Sequence, residues 1–398
     1  MKSLEIFSGA GGLAKGLELA GFDHSAFVEF NKDACVSLRR NFDPEKVFEG
    51  DIRDFDFHQL SDIDVVAGGP PCQPFSLGGK HGANNDLRDM FPYAITAIET
   101  LTPKAFVFEN VKGLLRDSFS EYFRYIILRL TFPDAHSSLK ATWREHFTSL
   151  QKIKYDRYDG IKYRVKYCLV NAADYGVPQC RERVVIVGIR SDINATWEFP
   201  AATHSEERLL WDKFVTGNYW DRHKVPKAHR EVCHNGSLVK ASRLQDTFGF
   251  FEPELNPWRT IRDALNGVPD PRKKNGIPDH IYRDGARTYA GHTGSDLDLP
   301  GKTIKAGGHG VPGGENMIRF RDGTVRYFTV HEAKLIQTFP KDFVIFGAWG
   351  EALRQIGNAV PVALGEQIGK ALFERILPET SLLRKARVQN VPTLAIRR

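Results

Sequence analysis

The stretch Asp62-Ile63-Asp64-Val65-Val66-Ala67-Gly68-Gly69-Pro70-Pro71-Cys72-Gln73-Pro74-Phe75-Ser76 predicts a short buried strand that runs directly into a constrained loop. An apolar run that ends in two glycines is typical of such a strand. Three prolines fix φ on either side of Cys72, so its thiol lies where the backbone has little freedom. A cysteine that serves only packing is expected inside an apolar run, because a buried free thiol behaves as a small hydrophobe. The pattern therefore favours Cys72 as a nucleophile, which requires the thiolate and hence positive potential or hydrogen bonds around it.

Residues 3–29 predict a strand, a glycine turn, a helix and a second strand. Gly9, Gly11 and Ala14 satisfy the G-x-G-x-x-G/A spacing, which brings bare backbone close to a ligand. Glu29 follows about 20 residues later, at the end of the second strand, where an acid can bind ribose hydroxyls. By itself the pattern fits an NAD dehydrogenase equally well, and a tight strand–helix turn without a ligand also stays open.

Another buried strand is predicted over residues 104–108, and it ends at Glu109. Open α/β sheets bind ligands in the crevice at the carboxyl ends of their strands. Cys72 and Glu109 are therefore expected to face one site if their strands are neighbours. The alternative is an isolated acid that faces water.

Four motifs follow one another along the chain: Pro-Pro-Cys-Gln at 70–73, Glu-Asn-Val at 109–111, Gln-x-Arg-x-Arg at 179–183 and Gly-Asn-x-Val-Pro at 357–361. In residues and order they resemble the DNA cytosine-5 methyltransferase family, of the bacterial restriction-modification type. The resemblance covers nearly the whole chain apart from roughly 131–158, which looks like an insertion, and much of 191–299.

The resemblance implies an α/β fold. A Rossmann-like S-adenosylmethionine-dependent methyltransferase core would be joined to a smaller, irregular target-recognition domain. The expected division is a catalytic and cofactor-binding domain over 1–190, a target-recognition domain over 191–325, a hinge over 326–354 and a returning segment of the catalytic domain over 355–398.

The resemblance also implies the reaction and its catalytic residues. A methyl group would pass from S-adenosylmethionine to C5 of a cytosine within a specific duplex DNA sequence. Cys72 would bond covalently to C6 of a flipped-out base, since C6 is unreachable in a stacked duplex. Glu109 would contact N3 and stabilise the charge that develops there. Arg183 would contact the cytosine and support Glu109, while Arg181 would lie nearer the thiol and a phosphate.

A cofactor site for S-adenosylmethionine is implied by the same resemblance. The glycine turn resembles the cofactor loop of the family. Asp51 would lie on the adenine amino group and Ile52 against the adenine ring. The residues assigned to this site are Phe7, Gly9, Gly11, Gly12, Glu29, Phe30, Asp51, Ile52, Pro71, Asn358 and Val360.

Three further segments carry local predictions. Residues 77–86 are glycine-rich and polar, which favours a lid over the thiol rather than an ordinary surface loop. Lys302, Thr303 and Lys305 are suitable phosphate donors within another glycine-rich stretch. Thr329, followed three residues later by Glu332, predicts a capping box that opens a helix.

Composition limits the possible classes of protein. A net charge of +6 permits a polyanionic partner, but residues 191–325 hold 19 Lys and Arg against 18 Asp and Glu, so no basic slab marks that region. The five cysteines form no CxxC pair and no metal-ligand spacing, which favours a reducing compartment. There is no signal-peptide pattern and no apolar run of membrane-spanning length, so a cytoplasmic monomer without a metal is expected.

Other functions fit these residues less well. The same chemistry on tRNA is disfavoured by the long second lobe, which a reader of duplex sequence needs. A non-catalytic DNA-binding relative would have no reason to retain Cys72, Glu109 and Arg183, and an NAD oxidoreductase would leave the Cys72 loop without a purpose. The expected partners are duplex DNA and a cognate restriction endonuclease that acts on the same site.

Overall fold

The computed structural model describes residues 1–71, 89–138, 140–230, 235–249, 251–306 and 316–377. Cys72 and the lid predicted over 77–86 lie outside these ranges, as do most of the glycine-rich stretch after Ala306 and the C-terminal tail.

The centre of the molecule is a seven-stranded sheet with the order β3-β2-β1-β4-β5-β7-β6. Strands β1 to β5 are parallel, and β7 runs antiparallel to both β5 and β6. This sheet confirms the predicted α/β class. The strands are β1 Lys2–Ile6, β2 Asp23–Glu29, β3 Val47–Glu49, β4 Val65–Gly68, β5 Ala105–Val111, β6 Tyr163–Asn171 and β7 Glu182–Arg190.

Helices cover both faces of the sheet. Val66, Phe106 and Phe108 contribute to the apolar cluster on one face, while Val65 and Val107 contribute to the cluster on the other. This alternation follows from the two-residue period of a strand, and strands buried on both faces read as continuous apolar runs. The helices are α1 Gly12–Leu19, α2 Lys32–Asn41, α3 Phe91–Leu101, α4 Ser120–Thr131, α5 Trp143–Leu150, α6 Glu206–Phe214, α7 Asn218–Arg222, α8 Asn235–Phe248, α9 Ile261–Ala264, α10 Val330–Ile336, α11 Trp349–Asn358 and α12 Val362–Ile376.

The direction of strand order reverses at β1, which lies between β2 and β4. In an open parallel sheet such a reversal opens a crevice at the carboxyl ends of the strands, and ligands bind there. The glycine turn follows β1, the segment that leads to Cys72 follows β4, and Glu109 lies near the end of β5. The topology therefore brings these three predicted elements to one edge of the sheet.

The returning segment packs on the first helix. A Cβ added at Gly16 in α1 would lie 2.6 Å from the backbone of Gly365 and Glu366 in α12. One turn further along α12, a Cβ at Gly369 would lie 2.8 Å from that of Ala20. Glycine is required at these positions because the two helix backbones approach too closely for side chains.

Residues 191–325 were expected to be irregular, but their described part contains the helices α6, α7, α8 and α9. Two small sheets complete this region. One pairs β8 His204–Ser205 with β9 Asn256–Pro257, and the other joins β10 Ser295–Asp296, β11 Met317–Arg319 and β12 Val325–Tyr327. Packing is continuous across residue 325, since one apolar cluster includes Ile304 and Ile318 together with Ala333 and Ile356.

The capping box predicted at Thr329 is confirmed. The Thr329 hydroxyl accepts a hydrogen bond from the N–H of Glu332, and the Glu332 carboxylate accepts one from the N–H of Thr329 at 3.0 Å. Arg326 pairs with the same carboxylate at 2.6 Å. The start of α10 is therefore fixed by its own sequence.

We expect Gly16→Ala to lower the free energy of unfolding by about 1–3 kcal/mol, because the added methyl group meets backbone that cannot rotate away. Alanine is otherwise the better helix residue by about 1 kcal/mol. Gly350→Ala in α11 is the matched control, since a Cβ there would meet no atom within 4 Å. Urea unfolding at one pH measures both variants, and a Gly16→Ala protein as stable as Gly350→Ala would contradict the packing described.

Candidate active site

Glu109 and Arg183 meet at the carboxyl end of β5. In the antiparallel pair, Glu109 lies opposite Val185 and Arg183 lies opposite Val111. Diagonal neighbours two residues apart share a face of the sheet, so the two side chains can meet. Arg183 Nε lies 2.5 Å from Glu109 Oε1, an ion-pair distance, although the contact lacks the angle of a hydrogen bond. The two side chains are 12% and 11% exposed, so the ion pair is largely shielded from solvent but not completely buried.

The segment that leads to Cys72 starts beside this ion pair. Strands β4 and β5 are neighbours, as the sequence analysis required, with Gly68 opposite Phe108. A Cβ added at Gly69 would lie 3.5 Å from Glu109 Oε2. The described part of the chain thus brings residues 69–71 next to Glu109.

Asn110 was not assigned a role by the sequence analysis, although it lies in the Glu-Asn-Val motif. Its side chain is 5% exposed, and Nδ2 donates a hydrogen bond of 3.0 Å to the carbonyl oxygen of Pro70. Its other side-chain atom, Oδ1, accepts from the N–H of Val111 at 2.9 Å. The residue after the predicted acid therefore holds the segment that precedes the predicted nucleophile.

Arg181 lies in a different environment from the one the resemblance implied. Its side chain is fully buried, and one terminal nitrogen donates to the carbonyl oxygens of Gly357 at 2.7 Å and Ala359 at 3.0 Å. Burial lowers the pKa of this guanidinium, and the neighbouring Arg183 lowers it further. In this arrangement Arg181 joins the last motif to β7 of the sheet.

A buried glutamine pair extends the same connection, and the sequence analysis missed Gln337. Gln179 accepts a hydrogen bond from the N–H of Ile304 at 3.0 Å and donates to Gln337 Oε1 at 3.1 Å. Gln337 in turn donates to the carbonyl oxygen of Ile356 at 2.6 Å. Both glutamines are 0% exposed, so each side-chain bond replaces one that water would otherwise supply.

The glycine turn after β1 is built around Glu29. Gly9 and Gly11 have φ values of +53° and +84°, a region that favours glycine. The Glu29 carboxylate accepts hydrogen bonds from the N–H groups of Gly9 at 2.7 Å and Asn31 at 2.8 Å. Burial raises the pKa of Glu29, and those backbone bonds oppose the rise. The acid that the resemblance assigns to ribose is thus held rigidly by the turn itself.

The last motif lies directly on this turn. A Cβ added at Gly12 would lie 2.3 Å from the carbonyl oxygen of Val360. Asn358 is exposed at the end of α11, while Val360 is 6% exposed. Residues that are 348 positions apart, Gly12 and Val360, therefore share one surface of the predicted cofactor site.

The remaining cofactor candidates differ in their exposure to solvent and in the hydrogen bonds they already make. Phe30 is 74% exposed, whereas Ile52 is 5% exposed and packs in the core. Pro71 is exposed, and Phe7 is partly buried with a φ of +52°. Asp51 accepts hydrogen bonds from the backbone and side chain of Arg53, whose side chain lowers the Asp51 pKa. The carboxylate that the resemblance assigns to adenine is thus already engaged by an arginine.

These residues fit an adenosine-containing cofactor. A Cβ at Gly9 would meet no atom within 4 Å, so there is open space beside bare backbone. The Glu29 carboxylate bonds to the N–H of Gly9, and the exposed aromatic ring of Phe30 follows Glu29 in sequence.

Among the described residues there is no cluster of His, Cys, Asp and Glu suited to a metal ion, and no helix long and apolar enough to cross a membrane.

The predicted phosphate donors and Cys180 are engaged within the protein. Thr303 donates to the carbonyl oxygen of Cys180 at 2.9 Å, and Lys302 donates to Thr293 at 2.8 Å. Burial raises the pKa of the Cys180 thiol to about 11, which keeps it neutral at physiological pH. Cys180 is therefore poorly suited to act as a nucleophile.

We expect Arg181→Lys to lower the free energy of unfolding by at least about 2 kcal/mol, because an ammonium group is more strongly hydrated than a guanidinium and is therefore less favourable to bury against these two carbonyl oxygens. Arg375→Lys on the exposed side of α12 is the control and should stay within about 0.5 kcal/mol of the wild type. Urea unfolding of the two variants at pH 7 measures the difference. Equal stability of the two would show that the buried bonds contribute nothing.

Comparison with known proteins addresses the family. The family model described as C-5 cytosine-specific DNA methylase matches residues 1–134 and 144–374. The chain is 28% identical over 383 residues to the Type II methyltransferase M.NgoMIV of Neisseria gonorrhoeae, with 95% of this chain and 98% of that protein covered. It is 32% identical over 381 residues to M.Eco47II of Escherichia coli, with 93% and 78% covered. The unmatched residues 135–143 fall within the expected insertion.

Solved structures support the same fold. The Dnmt2 methyltransferase of S. pombe matches with a TM-score of 0.56 at 16% identity, covering 94% of this chain and 98% of that one. A putative DNA modification methyltransferase from an E. coli prophage matches with a TM-score of 0.54 at 19% identity, covering 94% and 99%. Because the family match runs through both the glycine turn and the returning segment, the chain belongs to the C-5 cytosine-specific DNA methylases and is a DNA cytosine-5-methyltransferase.

Proposed function

We propose that this enzyme methylates C5 of a cytosine within a specific duplex DNA sequence through a covalent bond between Cys72 and C6. The observation that carries the proposal is the Glu109–Arg183 ion pair at 2.5 Å, located beside the segment that enters Cys72. An acid and an arginine fixed next to a candidate thiol are what addition to a pyrimidine ring requires.

The mechanism begins with Cys72. Its thiolate attacks C6, a C6–S bond forms, and the electrons of the C5–C6 double bond move toward C5 and N3. Glu109 stabilises the charge at N3 by hydrogen bonding or proton transfer. The target base leaves the stack to reach this crevice, since C6 is inaccessible in a duplex. When bound, S-adenosylmethionine supplies an electrophilic methyl group. Once C5 carries the methyl group, loss of the C5 proton to water restores the C5–C6 double bond and expels Cys72 as the thiolate.

Arg183 holds Glu109 for this step. A guanidinium keeps its charge across the physiological pH range and offers several donors in one plane. With Nε at Glu109, one terminal nitrogen of Arg183 donates to the Glu182 carbonyl oxygen at 2.8 Å. The arginine thus holds the Glu109 carboxyl group in a fixed orientation beside the segment that enters Cys72.

The cofactor would lie across the ends of β1, β2 and β3. Glu29 would accept hydrogen bonds from ribose hydroxyls with the lone pairs that Gly9 and Asn31 leave free. Asp51 would receive the adenine amino group only with the oxygen lone pair that Arg53 does not use. The residues proposed for the site are Phe7, Gly9, Gly11, Gly12, Glu29, Phe30, Asp51, Ile52, Pro71, Asn358 and Val360.

The proposed reaction on duplex DNA also assigns a role to each domain and implies the partners. Residues 1–190 and 355–398 would form the catalytic domain, 326–354 the hinge, and 191–325 the surface that reads the DNA sequence. The names of the Type II relatives support a cognate restriction endonuclease that acts on the same site. The enzyme would act as a monomer.

Transfer of label from S-adenosylmethionine to mixed-sequence duplex DNA and to tRNA tests the reaction. We expect 5-methylcytosine in duplex DNA, no transfer with Cys72→Ser, and a decrease of about 10²–10⁴-fold with Glu109→Gln. Cys180→Ser is the matched control and should retain the wild-type rate, since that thiol is neutral and partly buried. Label in tRNA alone would replace the DNA substrate, and transfer by Cys72→Ser would overturn the covalent mechanism.

Gly12→Ala tests the cofactor site. The added methyl group would displace the Val360 carbonyl, so we expect the affinity for S-adenosylmethionine to fall at least about tenfold, or about 1.4 kcal/mol. Calorimetric titration of the cofactor into the folded variants measures this, with Gly350→Ala as the control that keeps wild-type affinity. Unchanged affinity in Gly12→Ala would mean that the contact between the turn and the last motif does not shape the site.

A further inference from the structure

The end of β5 carries two adjacent polar side chains with different partners. Successive residues of a strand point to opposite faces. Glu109 contacts Arg183, whereas Asn110 bonds to Pro70, two residues before Cys72. The end of β5 therefore carries the acid expected at N3 of the base and also contacts the segment expected to deliver the thiol.

The Asn110 amide has only one useful orientation. Its oxygen accepts the N–H of Val111 at 2.9 Å, so its NH₂ group must face the Pro70 carbonyl oxygen at 3.0 Å. The contact is buried, with Asn110 5% exposed. A buried side-chain bond of this kind restricts the position of its acceptor more than a solvated one would, because water cannot replace it.

Strand register explains why a side chain is needed here. Gly68 and Phe108 are the last paired residues of β4 and β5, so the ladder has ended before Pro70 is reached. Another hydrogen bond of this segment, from the N–H of Met90 to the Pro71 carbonyl oxygen, is longer than the Asn110–Pro70 bond, at 3.4 Å. Asn110 thus continues the attachment of the segment to the sheet after backbone pairing stops.

We propose that Asn110 is a positioning residue that holds Pro70, and with it the start of the segment that leads to Cys72, at a fixed distance from Glu109. The inference rests on the proposed function. N3 and C6 lie at opposite corners of the pyrimidine ring, so the acid and the thiol must be held one ring apart. A displacement of about 1 Å at such a site can lower the rate about 10²-fold. Asn110 acts on the distance between the two groups and touches neither the base nor the cofactor.

Single-turnover methyl transfer with saturating cofactor and DNA tests the proposal. Asn110→Asp keeps the shape but places a carboxylate against the Pro70 carbonyl oxygen, and Asn110→Ala removes the donor without adding charge. We expect transfer about 10²-fold slower in Asn110→Asp and about tenfold or more slower in Asn110→Ala, with both substrate affinities within about threefold of wild type. Asn41→Asp is the matched control, because Asn41 Nδ2 donates to the Val344 carbonyl oxygen at 2.7 Å.

A trapping assay separates position from stability. DNA with 5-fluorocytosine at the target base retains the C6–S bond, because fluorine at C5 cannot leave as a proton does. We expect the covalent complex to form more slowly in both Asn110 variants and at the wild-type rate in Asn41→Asp, whatever their melting temperatures. Asn110 variants that form it at the wild-type rate overturn the proposal. A wild-type enzyme that forms no complex overturns the proposed function instead, and the role of Asn110 with it.

Discussion

The parallel pairing of β4 with both β1 and β5 is the constraint on which the candidate site depends. It places the ends of three strands in a row, and each strand end carries a different part of the chemistry. The glycine turn follows β1, the segment to Cys72 follows β4, and Glu109 ends the apolar part of β5. Because parallel strands place their carboxyl ends on one edge, strand pairing alone brings these three elements together.

A buried polar network connects three distant parts of the chain around the candidate site. Burying a guanidinium and two glutamine amides is unfavourable, and hydrogen bonds offset part of this free energy. Two of the three guanidinium nitrogens of Arg181 have no hydrogen-bond partner among the described residues. Arg181, Gln179 and Gln337 direct those bonds to backbone groups near residues 304, 356, 357 and 359. The arrangement is therefore stable only when three distant parts of the chain take one relative position, which favours a unique closure over looser packings.

The sequence predicted the local features well because each depends on neighbouring residues. The strand before Gly69 and the capping box at Thr329 are examples. The pairing of the strands before Cys72 and Glu109 was only a condition of the sequence argument, and the structure meets it. Gln337 and the burial of Arg181 could not be predicted, since their partners lie 158 and 176 residues away in sequence and have no periodic signature. The motifs indicated which residues matter, but not whether a residue faces substrate or backbone.

The close contact between α1 and α12 has a consequence for synthesis of the protein. Gly12 and Gly16 form their contacts with Val360 and Gly365, which are synthesised 348 and 349 residues later. At about 5–20 residues per second, the first turn waits tens of seconds for its partner. A nascent chain that has not yet reached α12 therefore exposes the apolar face of α1 and lacks one wall of the proposed cofactor crevice.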